Sequence, residues 1–340
     1  MRSPRHVLHA AIALVFAGLV AAGTAGASAQ VQPVELPRDH RVHPRFQVEW
    51  WYGAGVVHAR SGRAFSWFAT IWSGGSGAVA RVNVVDLERD RVVLAQEYVV
   101  AGALQRTRLL AVVVDGLRLS WRPRGAFGRF SVAATTGDGS LALGLVPQRR
   151  YVRHGRRGVI DQGGGGPSAY YSSTRLRAKG VLRTGDRQIP VRGEGWLDHQ
   201  WGNFAGDPQA LRWDWFGCRF KDGRDLMLYR FLDLGNRPRP GYGGGTLVGR
   251  NGRIRRISEF RAVELAPFVQ PEGATATYPL GWRLTLPGAG LDFTLQTLAR
   301  NQFIRNQFVP SFWEGAATVT RGPRGLCFVE DSREPLPGRS

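Results

Sequence analysis

Along most of the chain, apolar and polar positions alternate with a period of two. In Ala64-Phe65-Ser66-Trp67-Phe68-Ala69-Thr70-Ile71-Trp72, the residues Phe65, Trp67, Ala69 and Ile71 share one face of an extended strand. Successive strand side chains point to opposite sides, so this run predicts a strand with one apolar face. Runs over 91–100, 109–115, 117–121, 130–134 and 141–146 continue the series, separated by turn residues such as Asp115-Gly116 and Gly137-Asp138-Gly139. The stretch 258–267 reads as a strand in preference to a short helix. Almost no 3.6-residue periodicity follows the first 29 residues. The pattern predicts an all-β protein of antiparallel sandwiches or barrels.

One hairpin can be drawn residue by residue. Segments 212–220 and 225–233 flank Lys221-Asp222-Gly223-Arg224. Asp-Gly is a favoured centre for a two-residue turn. A loop of Asp222-Gly223 sets Cys218 against Met227, Phe216 against Tyr229, Asp214 against Phe231 and Trp215 against Arg230. Trp215 over Arg230 would be a cation–π contact, and Arg212 with Asp233 an edge salt bridge.

Length and composition add an address and a size. Residues 1–29 read as a secretory signal, with Arg2 and Arg5 before an apolar run and Ala27-Ser28-Ala29 at the cleavage point. An exported protein, periplasmic or secreted, is expected. The remainder is long enough for two domains, 30–205 and 206–335, with the boundary in the loop-like stretch after Gly202. The formal net charge is +20, and all but two of the 46 basic residues are arginine. They are scattered and form no reader motif, so no nucleic-acid partner is expected; peripheral contact with an anionic membrane surface is. Cys218 and Cys327 either pair in an oxidising compartment or lie buried as free thiols.

The chemistry concentrates in three aromatic and acidic stretches: Glu49-Trp50-Trp51-Tyr52, Gly193-Glu194-Gly195-Trp196-Leu197-Asp198-His199-Gln200-Trp201-Gly202, and Trp213-Asp214-Trp215-Phe216. Large rings interleaved with carboxylates suit the wall of a pocket. These stretches, with Tyr170-Tyr171-Ser172, Asp222-Gly223, Leu228-Tyr229 and Phe312-Trp313-Glu314-Gly315, come in an order that resembles the AttH/CrtC family. That group is lipocalin-like and includes carotenoid 1,2-hydratases and exported proteins described as hydrolases. The final stretch, Gly325 to Asp331, departs from the family's usual glycine- and tyrosine-rich ending.

The resemblance implies two lipocalin-like barrels packed together around a pocket for an apolar lipid or isoprenoid. It also implies, for the hydratases, addition of water to a C=C bond without a cofactor. Such chemistry needs an acid, rings to stabilise a carbocation, and a placed water. The expected assignments are Asp198 or Asp214 as acid, His199 orienting water or acting as partner base, Trp201 and Trp215 at the cation site, and Tyr229 as hydrogen-bond donor. The family's His-x-Trp is matched by His199 and Trp201, and its Tyr/Asp pair is approximated by Tyr229 and Asp233. Trp50, Trp51, Trp196, Trp213, Phe216, Arg230 and Asp233 join Trp215 as candidate ligand-binding residues. Glu49, Glu194 and Glu314 are expected as structural acids, Glu49 paired with an arginine. Beside the enzyme stands a carrier that uses the same pocket without catalysis, in which Asp198 and His199 form a buried polar pair, each satisfying the other.

Other chemistries find little support. Gly74-Gly75-Ser76-Gly77-Ala78 lacks the last glycine of a nucleophile elbow. The Gly163–Gly166 run is not followed by a phosphate-binding helix. His40-x-x-His43 has no third ligand nearby in sequence, so no metal is expected. His58 and His154 are expected at the surface.

Overall fold

The computed structural model describes residues 30–74, 77–161, 166–203, 212–307 and 310–334. The proposed leader, the four-glycine run apart from Gly166, and most of the expected inter-domain loop fall outside them. Two curled antiparallel sheets, a barrel and a half-barrel, account for nearly all of the structure. Twelve strands between Val48 and Gly202 build the first sheet, and ten between Arg212 and Ser332 build the second. The stretch 258–267 is largely strand, Arg261–Val269.

The two sheets repeat one plan. In each, four strands run as a meander, and the opening strand then pairs with the closing one. Val48–Ala59 lies beside Arg187–Gly202, and Arg212–Phe220 lies beside Gly325–Ser332. This brings the first two aromatic–acidic stretches, 150 residues apart in the chain, onto neighbouring strands. Trp51 faces His199 and Tyr52 faces Asp198 across the first pair. Gly55 and Gly195 face each other in the same pair, and the indole of Trp67 lies against both. A Cβ on Gly55 would sit 2.3 Å from Trp67 Nε1, so this position leaves no room for a side chain.

Alternation then sorts most core side chains into three apolar bodies, beside a smaller fourth of Val34, Ala169, Tyr171 and Trp201. Trp51, Phe65, Trp67, Ala69, Ile71 and Leu197 fill the first barrel. Phe216, Cys218, Leu228, Trp282, Trp313 and Cys327 fill the second sheet's interior. Between the sheets lies a seam formed by residues of both, including Tyr52, Phe68, Tyr170, Trp196, Trp215 and Phe312. Cys218 and Cys327 face each other on adjacent strands and form a disulfide, which resolves the alternative left open by the sequence.

The hairpin differs from the drawn one by a single residue. Trp215 pairs with Tyr229, Asp214 with Arg230 and Cys218 with Leu226. The loop has three residues, closed by the Phe220 N–H on the Arg224 carbonyl at 2.9 Å, with Gly223 at φ +92°. A left-handed glycine in the third position makes the three-residue turn available. A one-residue shift moves one strand's partners to the other face. Arg230 therefore meets Asp214 and not Trp215, so the expected cation–π contact is not made. Arg212 bonds instead to the Leu234 carbonyl and Asn236, and Asp233 holds the surface turn through Arg237.

Candidate functional site

The stretch around Asp198 and His199 crosses the wall between the first barrel and the seam. Adjacent strand residues point to opposite sides, so Asp198 and His199 do not satisfy each other, and the expected polar pair is replaced by two separate networks.

On the inner side, Glu49 Oε1 accepts from both His199 Nε2 at 2.7 Å and His43 Nδ1 at 2.8 Å. Glu49 therefore pairs with two imidazoles, not with an arginine. Burial works against its charge, yet its hydrogen bonds to His199 and His43 leave its pKa below the ordinary range. Burial lowers His199 to about 4, against the pull of Glu49. Trp51 stacks on His199, and Trp201 stacks on His43 with ring centroids 3.9 Å apart. Tyr171 joins His199 to His40. Among the described residues, His43, Glu49 and His199 are the group whose ligand atoms, all within 4.8 Å of one another, could hold a metal ion.

On the seam side, Asp198 is 3 % exposed and receives three neutral donors. Tyr170 Oη reaches Oδ2 at 2.6 Å, while Ser172 Oγ and Trp196 Nε1 both reach Oδ1 at 2.5 Å. Trp215 Nε1 in turn donates to Tyr170 Oη at 3.1 Å from the second sheet. Behind Ser172 stands His154, with Nε2 2.6 Å from the serine oxygen and Nδ1 2.9 Å from Thr246 Oγ1. His154 is thus buried, not at the surface as expected, and its desolvation lowers its pKa to about 3.

Two further carboxyls share the seam. Tyr52 Oη donates to Glu314 Oε1 at 2.9 Å, and Trp213 Nε1 donates to Glu330 Oε2 at 2.9 Å. Glu314 Oε2 is buried without a hydrogen-bond partner. Burial pushes Asp198 up to about 7 against its three donors. Burial also raises Glu330 to about 8, with Asp198 adding repulsion. Glu314 rises well above the carboxylate range for the same reason, with Glu330 and Asp198 both opposing its charge.

Among the described residues, none of these three acids has an arginine or lysine partner. Other acids of the molecule do have cations: the fully buried Asp225 holds Arg149 at 2.5 Å and Arg175 at 2.8 Å, and the half-buried Glu194 holds Arg219 at 3.1 Å. In a chain this rich in arginine, two buried acids and a half-buried third without a cation form an acid-bearing, low-dielectric seam. Carboxyls in such surroundings favour the neutral, proton-donating form.

The remaining expected residues divide. Trp50, Trp213, Trp215, Trp196 and Tyr229 border the seam; Tyr229 donates to the Asp161 carbonyl at 3.3 Å. Asp214 lies on the far side, inside the second sheet, where Arg230 holds it at 2.5 Å in a network with Asp331, Arg333 and Glu264. It is not free to act as an acid at the seam. Phe216 is core of that same interior. Trp201, Trp51 and His199 face the first barrel and its capping segment. Sequence reasoning passed over Glu330, Tyr52, Tyr170, Ser172 and His154 as site residues. The even-numbered alternation through Trp196, Asp198 and Gln200 was the available signal for the seam side.

The seam includes a small void of about 10 Å³, room for about one water molecule, lined by Ala54, Ser66, Phe68, Asn83, Glu314 and Phe328. A second of similar size lies inside the first barrel, under Trp51, Leu117, Leu119 and Leu197.

Residues 27–330 match the sequence profile of the AttH-like family. The chain belongs to the AttH family. A search of curated proteins by sequence finds no match. Among solved structures, an AttH protein from Nitrosomonas europaea superposes with a TM-score of 0.80 at 21 % identity, covering 90 % of this chain and 99 % of that one. Kievitone hydratase from Nectria haematococca gives 0.71 at 17 % identity, over 92 % and 96 % of the two chains. CghA, in complex with Sch210972, gives 0.57 at 12 % identity, over 94 % and 98 %. At these identities the likeness shows a shared fold. The expected lipocalin-like pair of β units is the architecture of this AttH chain.

Proposed function

We propose that this AttH protein is a cofactor-independent hydro-lyase that adds water to a C=C bond of an apolar lipid or isoprenoid, with the reaction at the seam. The observation that carries the reading is the seam itself: three cation-free carboxyls, one of them raised to about 7, set among tryptophan and phenylalanine rings. A neutral carboxyl donates its proton to the alkene, and the π electrons become the new C–H bond. The positive charge left on the neighbouring carbon meets the faces of the indoles. Water then forms the C–O bond and returns a proton to the carboxylate, which restores the acid. Asp198 is the first choice of acid, kept protonated by its burial against three hydrogen-bond donors. Tyr170 and Ser172 fix its orientation.

The void at the seam, about 10 Å³, is far below the roughly 300–1,000 Å³ of common ligand sites, so on this reading seam side chains such as Trp50, Trp213 and Phe312 must part as the reacting end of the substrate enters. The proposal includes export by the N-terminal leader, which would bring the protein to lipid outside the cytoplasm.

A second reading, a carrier without catalysis, draws on one observation: Asp198 already has all three neutral donors in place. One experiment separates the two. Purified protein is incubated with acyclic isoprenoids in H₂¹⁸O, and products are read by mass spectrometry. The hydratase gives an ¹⁸O-labelled alcohol, and Asp198→Asn lowers the rate by about 10²–10⁴-fold, the usual worth of a general acid. Retention of apolar ligand by both proteins, with no label incorporated by either, would establish the carrier.

A further inference from the structure

Across the barrel wall from the seam lies a cluster that the proposed reaction does not use. We propose that His43, Glu49 and His199 form a three-ligand site for a divalent transition cation, with zinc as the metal whose coordination suits it best. The proposal is independent of the hydratase reading, because it rests on the opposite face of the strand Arg187–Gly202.

The donor set comes first. Two imidazole nitrogens and one carboxylate oxygen suit zinc and its first-row neighbours, not calcium or magnesium, which take oxygen ligands. His43 Nδ1, Glu49 Oε1 and His199 Nε2 all lie within 4.8 Å of one another. Glu49 Oε1 stands 2.8 Å from the first nitrogen and 2.7 Å from the second. With metal–ligand bonds of about 2.0–2.2 Å, a tetrahedral ion spaces its donors roughly 3.3 Å apart. Withdrawal of the carboxylate oxygen by about half an ångström, with the two nitrogens brought from within 4.8 Å to the same spacing, opens the position. Three protein ligands leave the fourth place for water.

The surroundings are those of a built site. A metal-ligating histidine usually directs its other ring nitrogen to a carboxylate, carbonyl or hydroxyl, which fixes the tautomer. His199 does so, with Nδ1 3.3 Å from Tyr171 Oη; His43 Nε2 faces Asp39 Oδ1 at 3.7 Å, longer than a hydrogen bond. The third ligand is oriented from outside by the His43 backbone N–H, which donates to Glu49 Oε2 at 2.8 Å. Both ring planes are held by indoles: Trp201 lies on His43 at 3.9 Å and 7°, and Trp51 on His199 at 4.6 Å and 21°. The strand pairing Trp51 with His199, and Glu49 with Trp201, places two ligands side by side on rigid backbone. The third comes from the segment ahead of the first strand. Its side chain is 17 % exposed, which gives an ion a way in.

The test uses the whole protein, stripped with a chelator and titrated with zinc alone by calorimetry, then with cobalt as a spectroscopic stand-in. The expected result is one ion per chain at a dissociation constant below about 1 µM, with the visible spectrum of four-coordinate cobalt. His43→Ala removes the ligand that lies outside both sheets, so the fold remains, and affinity drops at least about 100-fold. Asp39→Asn and Tyr171→Phe, which contact the ligating histidines from outside, each lower affinity by about 10–100-fold. His58→Ala, at an exposed site, changes nothing. Binding weaker than about 10 µM, a stoichiometry other than one, or equal affinity in the His43→Ala protein would overturn the proposal and leave Glu49 as a hydrogen-bonded bridge between two imidazoles.

Discussion

Asp198 is surrounded by neutral donors and by two other acids, and this sets how the protein responds to pH. Its pKa of about 7 lies above the ordinary 3.8 because the carboxylate is removed from water. Between those values the folded protein keeps a proton that the unfolded chain has released. Stability attributable to this group therefore declines as pH rises from about 4 to about 7, and changes little beyond. A displacement of that size corresponds to about 4 kcal/mol. Wild type should lose stability relative to Asp198→Asn on going from pH 5 to pH 8, by up to about 3 kcal/mol, when denaturant midpoints are compared. A constant difference between the two proteins would mean that Asp198 is ionised throughout. The side on which each member of the Asp198-His199 pair lies was legible from alternation alone, since residues 196, 198 and 200 must oppose 197, 199 and 201. The partners were not. Tyr170 and Ser172 reach Asp198 through strand pairings 26 or more residues distant, and Glu330 comes from the other sheet, so no local spacing reports them.

At the scale of elements, the strands of the first unit follow their sequence pattern closely. The run with Phe65, Trp67, Ala69 and Ile71 on one face forms the strand Ala64–Gly74, and those four side chains all enter the barrel core. Register was harder to read. Asp222-Gly223 signals a turn, but a two-residue and a three-residue loop both place Gly at a permissive position, and the choice shifts every partner by one. The structure takes the longer loop, with Gly223 left-handed; a Cβ there would find Arg250 Cγ as its nearest neighbour, 3.5 Å away. Space is therefore not the constraint, and the cost of a side chain is conformational. Gly223→Ala should destabilise the protein by about 1–2 kcal/mol, measured by equilibrium denaturation, with the seam distances unchanged. A neutral substitution would show that the loop readily adopts another turn. The shift matters because it gives Asp214 to Arg230, which removes one of the two candidate acids from the chemistry.

At the scale of the whole molecule, two units of one topology are joined by an apolar seam and by ion pairs such as Asp225 with Arg149 and Arg175. The all-β character and the aromatic–acidic stretches were visible in the chain, and the ordered motifs pointed to the family. The way the sheets close, each opening strand against its closing strand, depends on pairings too distant for periodicity to reveal. The disulfide ties such a pair in the second unit. Its residues are 109 apart, and closing a loop of that length restricts the unfolded chain by about 4–5 kcal/mol. A Cys218→Ala, Cys327→Ala double variant should therefore unfold at markedly lower denaturant while keeping its β-sheet spectrum; unchanged stability would show that sheet pairing alone holds the second unit.

The central claim is that the seam keeps an acid protonated close to neutral pH. Carbon-13 NMR of the aspartate side-chain carboxyls, with the Asp198 signal assigned by its loss in Asp198→Asn, reads that state directly. The account predicts a titration midpoint near pH 7 for Asp198. A midpoint near 4, the ordinary aspartate value, would contradict it, because the seam would then hold a carboxylate with no proton to give.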